Sequence, residues 1–128
     1  MIEKLTHVTL VVDDYDRALS WYSEKLGFEV QDNVEYGPGY RWVTVCPREQ
    51  RDVVIVLHKP HETETALKTG NASHWVFSTR DCRKTVEELR NRDVKIVREP
   101  EEVPWGVQAV FEDLYGNHFV LVQPAEGM

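Results

Sequence analysis

A chain of 128 residues, 41% hydrophobic and 29% charged, suffices for one compact domain or for two small modules sharing a core. Its formal net charge of −7, with no Lys/Arg stripe, argues against nucleic acid as a partner and disfavours an anionic membrane surface. No apolar run is long enough to cross a bilayer, and Met1-Ile2-Glu3-Lys4-Leu5 lacks the layout of a signal peptide, so a cytoplasmic location and no membrane partner are expected. Cys46 and Cys82 form no CxxC pair and cannot make a zinc site alone; both read as reduced thiols.

In chain order, Thr6 to Val12 is a β-branched run that reads as a strand. Asp13 or Asp14 can cap a helix whose apolar stripe is Tyr15, Leu19, Tyr22 and Leu26, and Gly27 ends it. Phe28-Glu29-Val30 begins a second strand, Gly37-Pro38-Gly39 is a turn, Tyr40 to Cys46 is a third strand and Val53 to His58 a fourth. The second half repeats the order. Ser73 to Thr79 is a strand, and Asp81 can cap a helix with the stripe Cys82, Val86 and Leu89. Val94 to Val97, Val107 to Phe111 and His118 to Val122 complete the set, the last two joined by the turn Asp113 to Asn117.

The halves share a register. His74 lies 67 residues after His7, and Cys82, Val86 and Leu89 lie 67 after Tyr15, Leu19 and Tyr22. The last strands, Val56-Leu57-His58-Lys59-Pro60 and Val120-Leu121-Val122-Gln123-Pro124, are offset by 64, the difference being loop length. The expected architecture is therefore α+β, one domain over 1–128 made of two βαβββ modules, 1–58 and 74–124, joined by a polar linker, 59–73. One helix covers only one face of a four-stranded sheet. Two modules pairing around a shared cavity would bury the other faces, and a homodimer extends the same logic.

The opening His7 strand, the run Asp13-Asp14-Tyr15-Asp16-Arg17-Ala18-Leu19-Ser20-Trp21-Tyr22, the helix end Leu26-Gly27-Phe28, His74, and Phe111 to Val122 together make the chain resemble the vicinal-oxygen-chelate superfamily, the glyoxalase/bleomycin resistance protein/dioxygenase group. The resemblance spans nearly the whole chain and implies that fold. It also implies, for metal-dependent members, a His or Gln from the first strand and a Glu from the fourth strand of each module. His7 and His74 match the first pair of positions, and Val56 and Val120 occupy the second. Valine supplies neither charge compensation nor a proton-moving carboxylate, and a facial triad of two histidines needs one carboxylate. No metal or other cofactor is expected; if a divalent ion binds, His7 and His74 are its candidate ligands.

Strand alternation puts His58 on the face of Val56 and His118 on that of Val120. These two, with Trp105 in the Pro104–Gly106 loop and Tyr36 and Tyr40 around the Gly37-Pro38-Gly39 turn, are possible ligand contacts. For His58 and His118 the plainer reading is a strand-end surface histidine, and for the aromatics ordinary packing. His61, in the linker, and Glu99 to Glu102 read as solvated. No catalytic residue is legible, since no nucleophile–base pair, phosphate loop or dinucleotide fingerprint is present. Three functions follow: a small-molecule-binding protein like the bleomycin-resistance branch, without an essential metal; a metal-dependent lyase or dioxygenase using His7 and His74; or a non-catalytic regulatory or interaction module.

Overall fold

Each half of the chain lays down one strand, one helix and three more strands. The computed structural model describes residues 1–127. Its first compact unit runs from Met1 to Asn71 and its second from Ala72 onward. The first contains β1 (His7–Val11), α1 (Tyr15–Leu26), β2 (Glu29–Gly37), β3 (Tyr40–Cys46) and β4 (Val54–His58). The second contains β5 (Val76–Ser78), α2 (Cys82–Asn91), β6 (Lys95–Val103), β7 (Gly106–Glu112) and β8 (His118–Pro124).

The helices begin where the sequence supplies a cap. Asp14 and Asp81 are extended, and each side chain accepts the amide hydrogen three residues on, from Arg17 and Lys84, both at 3.0 Å. This satisfies one of the free donors of the first turn. Gly27 closes α1 in the left-handed region, φ 71°, where a side chain would be strained. After α2 the left-handed position falls two residues beyond the helix, on Asp93, φ 62°. Tyr15, Ala18 and Tyr22 are buried on α1, and Cys82, Val86 and Leu89 on α2. Leu19, expected on the first stripe, is only half-buried.

Both sheets have the same topology, β1-β4-β3-β2 and β5-β8-β7-β6, with the first strand parallel to the fourth and the other pairs antiparallel. The registers also match. Thr9 pairs with Val56, Val56 with Thr44 and Thr44 with Asp32; Val76 pairs with Val120, Val120 with Val110 and Val110 with Arg98. The offset is 67 at the first strand and 64 at the fourth, as the repeat predicts.

In each unit the helix covers one sheet face. Leu10, Val45, Ile55 and Leu57 are buried with Tyr22 in the first, where α1 lies on β2, β3 and β4. In the second, Phe119 is fully buried. It stacks on Trp75 at 5.3 Å between ring centres and meets Phe77 and Phe111 edge-on at 5.6 and 5.9 Å. Offset and edge-to-face arrangements of this kind add to plain burial.

Three expected segments differ. The strand placed over Ser73 to Thr79 is confined to Val76–Ser78, because His74 adopts a left-handed conformation, φ 60°, that an extended strand cannot contain. The strand expected over Val94 to Val97 instead starts at Lys95 and runs nine residues, to Val103. It carries Glu99 to Glu102 and Pro100 through a register shift between Arg98 and Glu101, an irregularity that lets a proline sit in a strand. Most of the segment read as a polar linker, 59–73, falls in the first unit, which ends at Asn71. Glu64 ties it down by bonding the His58 ring and the His61 amide, both at 2.9 Å.

Candidate functional site

Alternation along the strands assigns the residues that turn away from each helix. On this helix-free face of the first unit, a row through the middle of the sheet crosses β1, β4, β3 and β2. This middle row is Thr9, Val56, Thr44 and Asp32. Val56 is 8% exposed and Thr44 is fully buried; the Thr44 hydroxyl donates to Asp32 Oδ2 at 2.7 Å. His7 is exposed, with Nδ1 2.8 Å from Thr6 Oγ1 and its ring 5.6 Å from that of Trp42. Trp42 is 40% exposed, an indole edge held beside an imidazole with surface to spare for a ligand.

The remaining first-unit candidates gather at the far end of the same sheet. His61 lies over Tyr40 at 4.0 Å between ring centres, with Tyr36 6.5 Å from Tyr40 and His58 5.9 Å from His61. The His61 amide and then the His58 ring hold Glu64 below the usual carboxylate range. Lost hydration, with Tyr15, Glu64 and Tyr40 nearby, raises Tyr36. Tyr36, Tyr40 and His58 are thus linked through His61, which reads as solvated in the sequence and is half-buried.

In the second unit the matching middle row is Val76, Val120, Val110 and Arg98. Val120 is half-buried. His118 and Glu112 face each other across the β7–β8 hairpin, with Nε2 2.9 Å from Oε1, and Lys95 Nζ is 3.8 Å from the same carboxylate oxygen. His74 lies outside β5, so strand alternation no longer directs its ring. Its amide donates to the His118 carbonyl at 2.6 Å, and its Nδ1 is 3.1 Å from Ser73 Oγ. At the hairpin between β6 and β7, Trp105 is 45% exposed and donates from Nε1 to Gln108 Oε1 at 3.0 Å.

Sequence reasoning passed over Asp32, Glu64 and Glu112, and counted Trp42 among the ring-bearing residues without singling it out. Trp42 had a usable signal, since it stands two residues before Thr44 on an alternating strand. Glu112 had another, since it immediately precedes the turn whose far side is His118. Asp32 and Glu64 had none, because one depends on a bulged register and the other on how the linker folds.

The family model described as the Glyoxalase/Bleomycin resistance protein/Dioxygenase superfamily matches residues 4–121. The chain belongs to this superfamily. Among solved structures, this superfamily member is similar to UcmS2, with 38% identity, coverage of 96% of this chain and 99% of that one, and a TM-score of 0.85. It is similar to TnmS3, an antibiotic binding protein from Streptomyces sp. CB03234, at 29% identity, 97% and 98% coverage and a TM-score of 0.83. A protein of Shewanella frigidimarina (strain NCIMB 400) is 36% identical, covering 96% of this chain and 95% of its own. A lactoylglutathione lyase of Arabidopsis thaliana is 29% identical over 94% of this chain, which spans 44% of that enzyme.

Metal-dependent members of the superfamily, by the resemblance described above, draw carboxylates from the fourth-strand positions. Here those positions are Val56 and Val120, which carry no donor atom. Among the described residues no group of three or more His, Cys, Asp or Glu is arranged to hold an ion. Valine at both fourth-strand positions supplies neither charge nor a donor atom, whereas a catalytic zinc site takes about three protein ligands.

Proposed function

We propose that this superfamily member binds a small, largely apolar molecule on its helix-free sheet faces and needs no metal to do so. The observation that carries the reading is valine at both positions where metal-dependent relatives place carboxylates. Exposed Trp42 beside His7 in the first unit and Trp105 at the rim of the second supply aromatic contact area, and aromatic rings give much contact at little entropic cost. The 29% identity to the antibiotic binding protein TnmS3 over nearly all of both chains supports the same reading. His7, Val56, His74 and Val120 are the proposed lining, with His58, His118, Tyr36 and Tyr40 as further contacts.

The ligand-binding test is a panel of antibiotics titrated against intrinsic tryptophan fluorescence. At least one compound quenches the wild type, and Trp42→Ala weakens its binding by about tenfold, roughly 1.4 kcal/mol. A panel that leaves the fluorescence untouched refutes the reading. Elemental analysis after dialysis separates it from the second function, a metal-dependent lyase or dioxygenase using His7 and His74, for which the similarity to a lactoylglutathione lyase speaks. One tightly held ion per chain, lost on mutating either histidine, puts that function first. A fold kept only as a regulatory or interaction module binds neither ligand nor metal. We also propose a homodimer, testable by light scattering, in the cytoplasm. The free, buried thiols of Cys46 and Cys82 suit a reducing compartment.

A further inference from the structure

We infer that the Glu112–His118 pair is a built hydrogen-bond acceptor, and that it selects ligands carrying a hydroxyl on an otherwise apolar body. The inference rests on the ligand-binding reading and names the polar group such a ligand must present.

The chemistry starts with the imidazole. A neutral histidine has one N–H donor and one bare nitrogen, and the partner of the first decides the role of the second. His118 Nε2 lies 2.9 Å from Glu112 Oε1, and an ionised carboxylate only accepts. In the neutral ring the hydrogen then sits on Nε2, and Nδ1 keeps its lone pair. Lys95 Nζ lies 3.8 Å from the same oxygen, a second partner that helps to hold the carboxylate in place. The backbone is held as well, since the His118 carbonyl accepts from the His74 amide at 2.6 Å. Such anchoring fixes the direction in which an acceptor can be used.

The surroundings supply the apolar body. His118 and Val120 are two apart on β8 and turn to the same face. Val120 is flanked in register by Val110 and by Val76, which is 65% exposed. A ligand lying on these valines meets the imidazole at its edge.

The first unit shows that the fold does not require the pair. Continuing its registers, the matching positions are Val54 for His118, Cys46 for Glu112 and Glu29 for Lys95. The β3–β4 pairing of the first unit, Thr44 with Val56 and Val45 with Ile55, forms without an imidazole or a carboxylate at its end. A cross-strand Glu–His pair adds little to a sheet, so stability alone is a weak reason for its placement beside the valine row.

The test compares phenol with its methyl ether, anisole, which has the same body and no hydroxyl donor. Binding is followed by the His118 ring signals in NMR, which also report which nitrogen carries the hydrogen. The phenol binds at millimolar concentration about tenfold more tightly than the ether, a difference of about 1.4 kcal/mol. His118→Phe brings the ratio to about one, and Glu112→Ala, which releases the ring to both tautomers, lowers it. His118→Gln, which keeps an acceptor, retains part of it. A purely structural pair predicts the opposite pattern, a lower melting temperature in Glu112→Ala and an unchanged ratio. Equal binding of phenol and ether overturns the inference and leaves the ligand-binding reading standing. Failure of the phenol to bind overturns it too, and the antibiotic panel then decides separately whether the broader reading falls.

Discussion

Placing carboxylates at the two valine positions tests the site assignment and the burial argument together. Val56 is 8% exposed, beside fully buried Thr44, whereas Val120 is half-buried. Val56→Glu gives up the burial of a valine, about 1.5–3 kcal/mol, and forces a longer side chain into packed space at a further cost of about 1–3 kcal/mol. Its carboxyl also loses hydration, two strands from Asp32 in the same row. Val120→Glu keeps more solvent and stands two strands from Arg98, an attractive charge. The expected losses are about 4 kcal/mol for Val56→Glu and about 1–2 kcal/mol for Val120→Glu, out of roughly 5–15 kcal/mol for a typical domain. Urea unfolding measures both. Desolvation raises the pKa of the new group at position 56. The folded state then binds the extra proton more readily than the unfolded chain, and the Val56→Glu deficit shrinks as pH falls. Equal losses for the two variants, or a Val56→Glu deficit independent of pH, refute the burial reasoning. The double variant is expected to gain affinity for zinc or nickel. A well-folded double variant that gains none refutes the assignment of His7 and His74 to the superfamily's ligand positions.

Three further outcomes follow from named contacts. Asp14→Ala and Asp81→Ala each remove a helix cap, costing about 1 kcal/mol apiece, read by thermal melts; no change in either would mean that the cap is replaced by solvent. Gly106→Ala is expected to cost at least about 2 kcal/mol, because φ is +144° and a Cβ would lie 1.9 Å from the Gln123 carbonyl oxygen; a soluble variant with wild-type stability defeats this. The Glu64 carboxylate is held low by the His61 amide and His58. Its contribution is therefore full above the unfolded-state value and disappears as pH falls through the folded-state value. The stability gap between wild type and Glu64→Gln should be widest near about pH 7 and should close toward about pH 3, and a gap constant with pH would show that the linker contact is not ionic.

Local chemistry was legible from residues alone. Asp14 and Asp81 cap helices because short carboxylates meet free amides in the first turn, and the stripe Cys82, Val86 and Leu89 faces inward because of helical spacing. The repeat register held through β1, β4, β5 and β8, since alternating side chains allow no one-residue slip once one sheet face is buried. The valines at positions 56 and 120 were visible in the same way, and with them the lack of a carboxylate at the two fourth-strand positions. Long-range encounters were another matter. His74 left its strand with a left-handed backbone, and its amide bonds the carbonyl of His118, forty-four positions away. Trp42 came beside His7, Glu64 beside His58, and Glu112 beside His118 through strand order, the fold of the linker and the hairpin register. Periodicity determines which face of an element is apolar; which polar groups then become neighbours on the other face depends on distances between elements, and only the folded chain sets those.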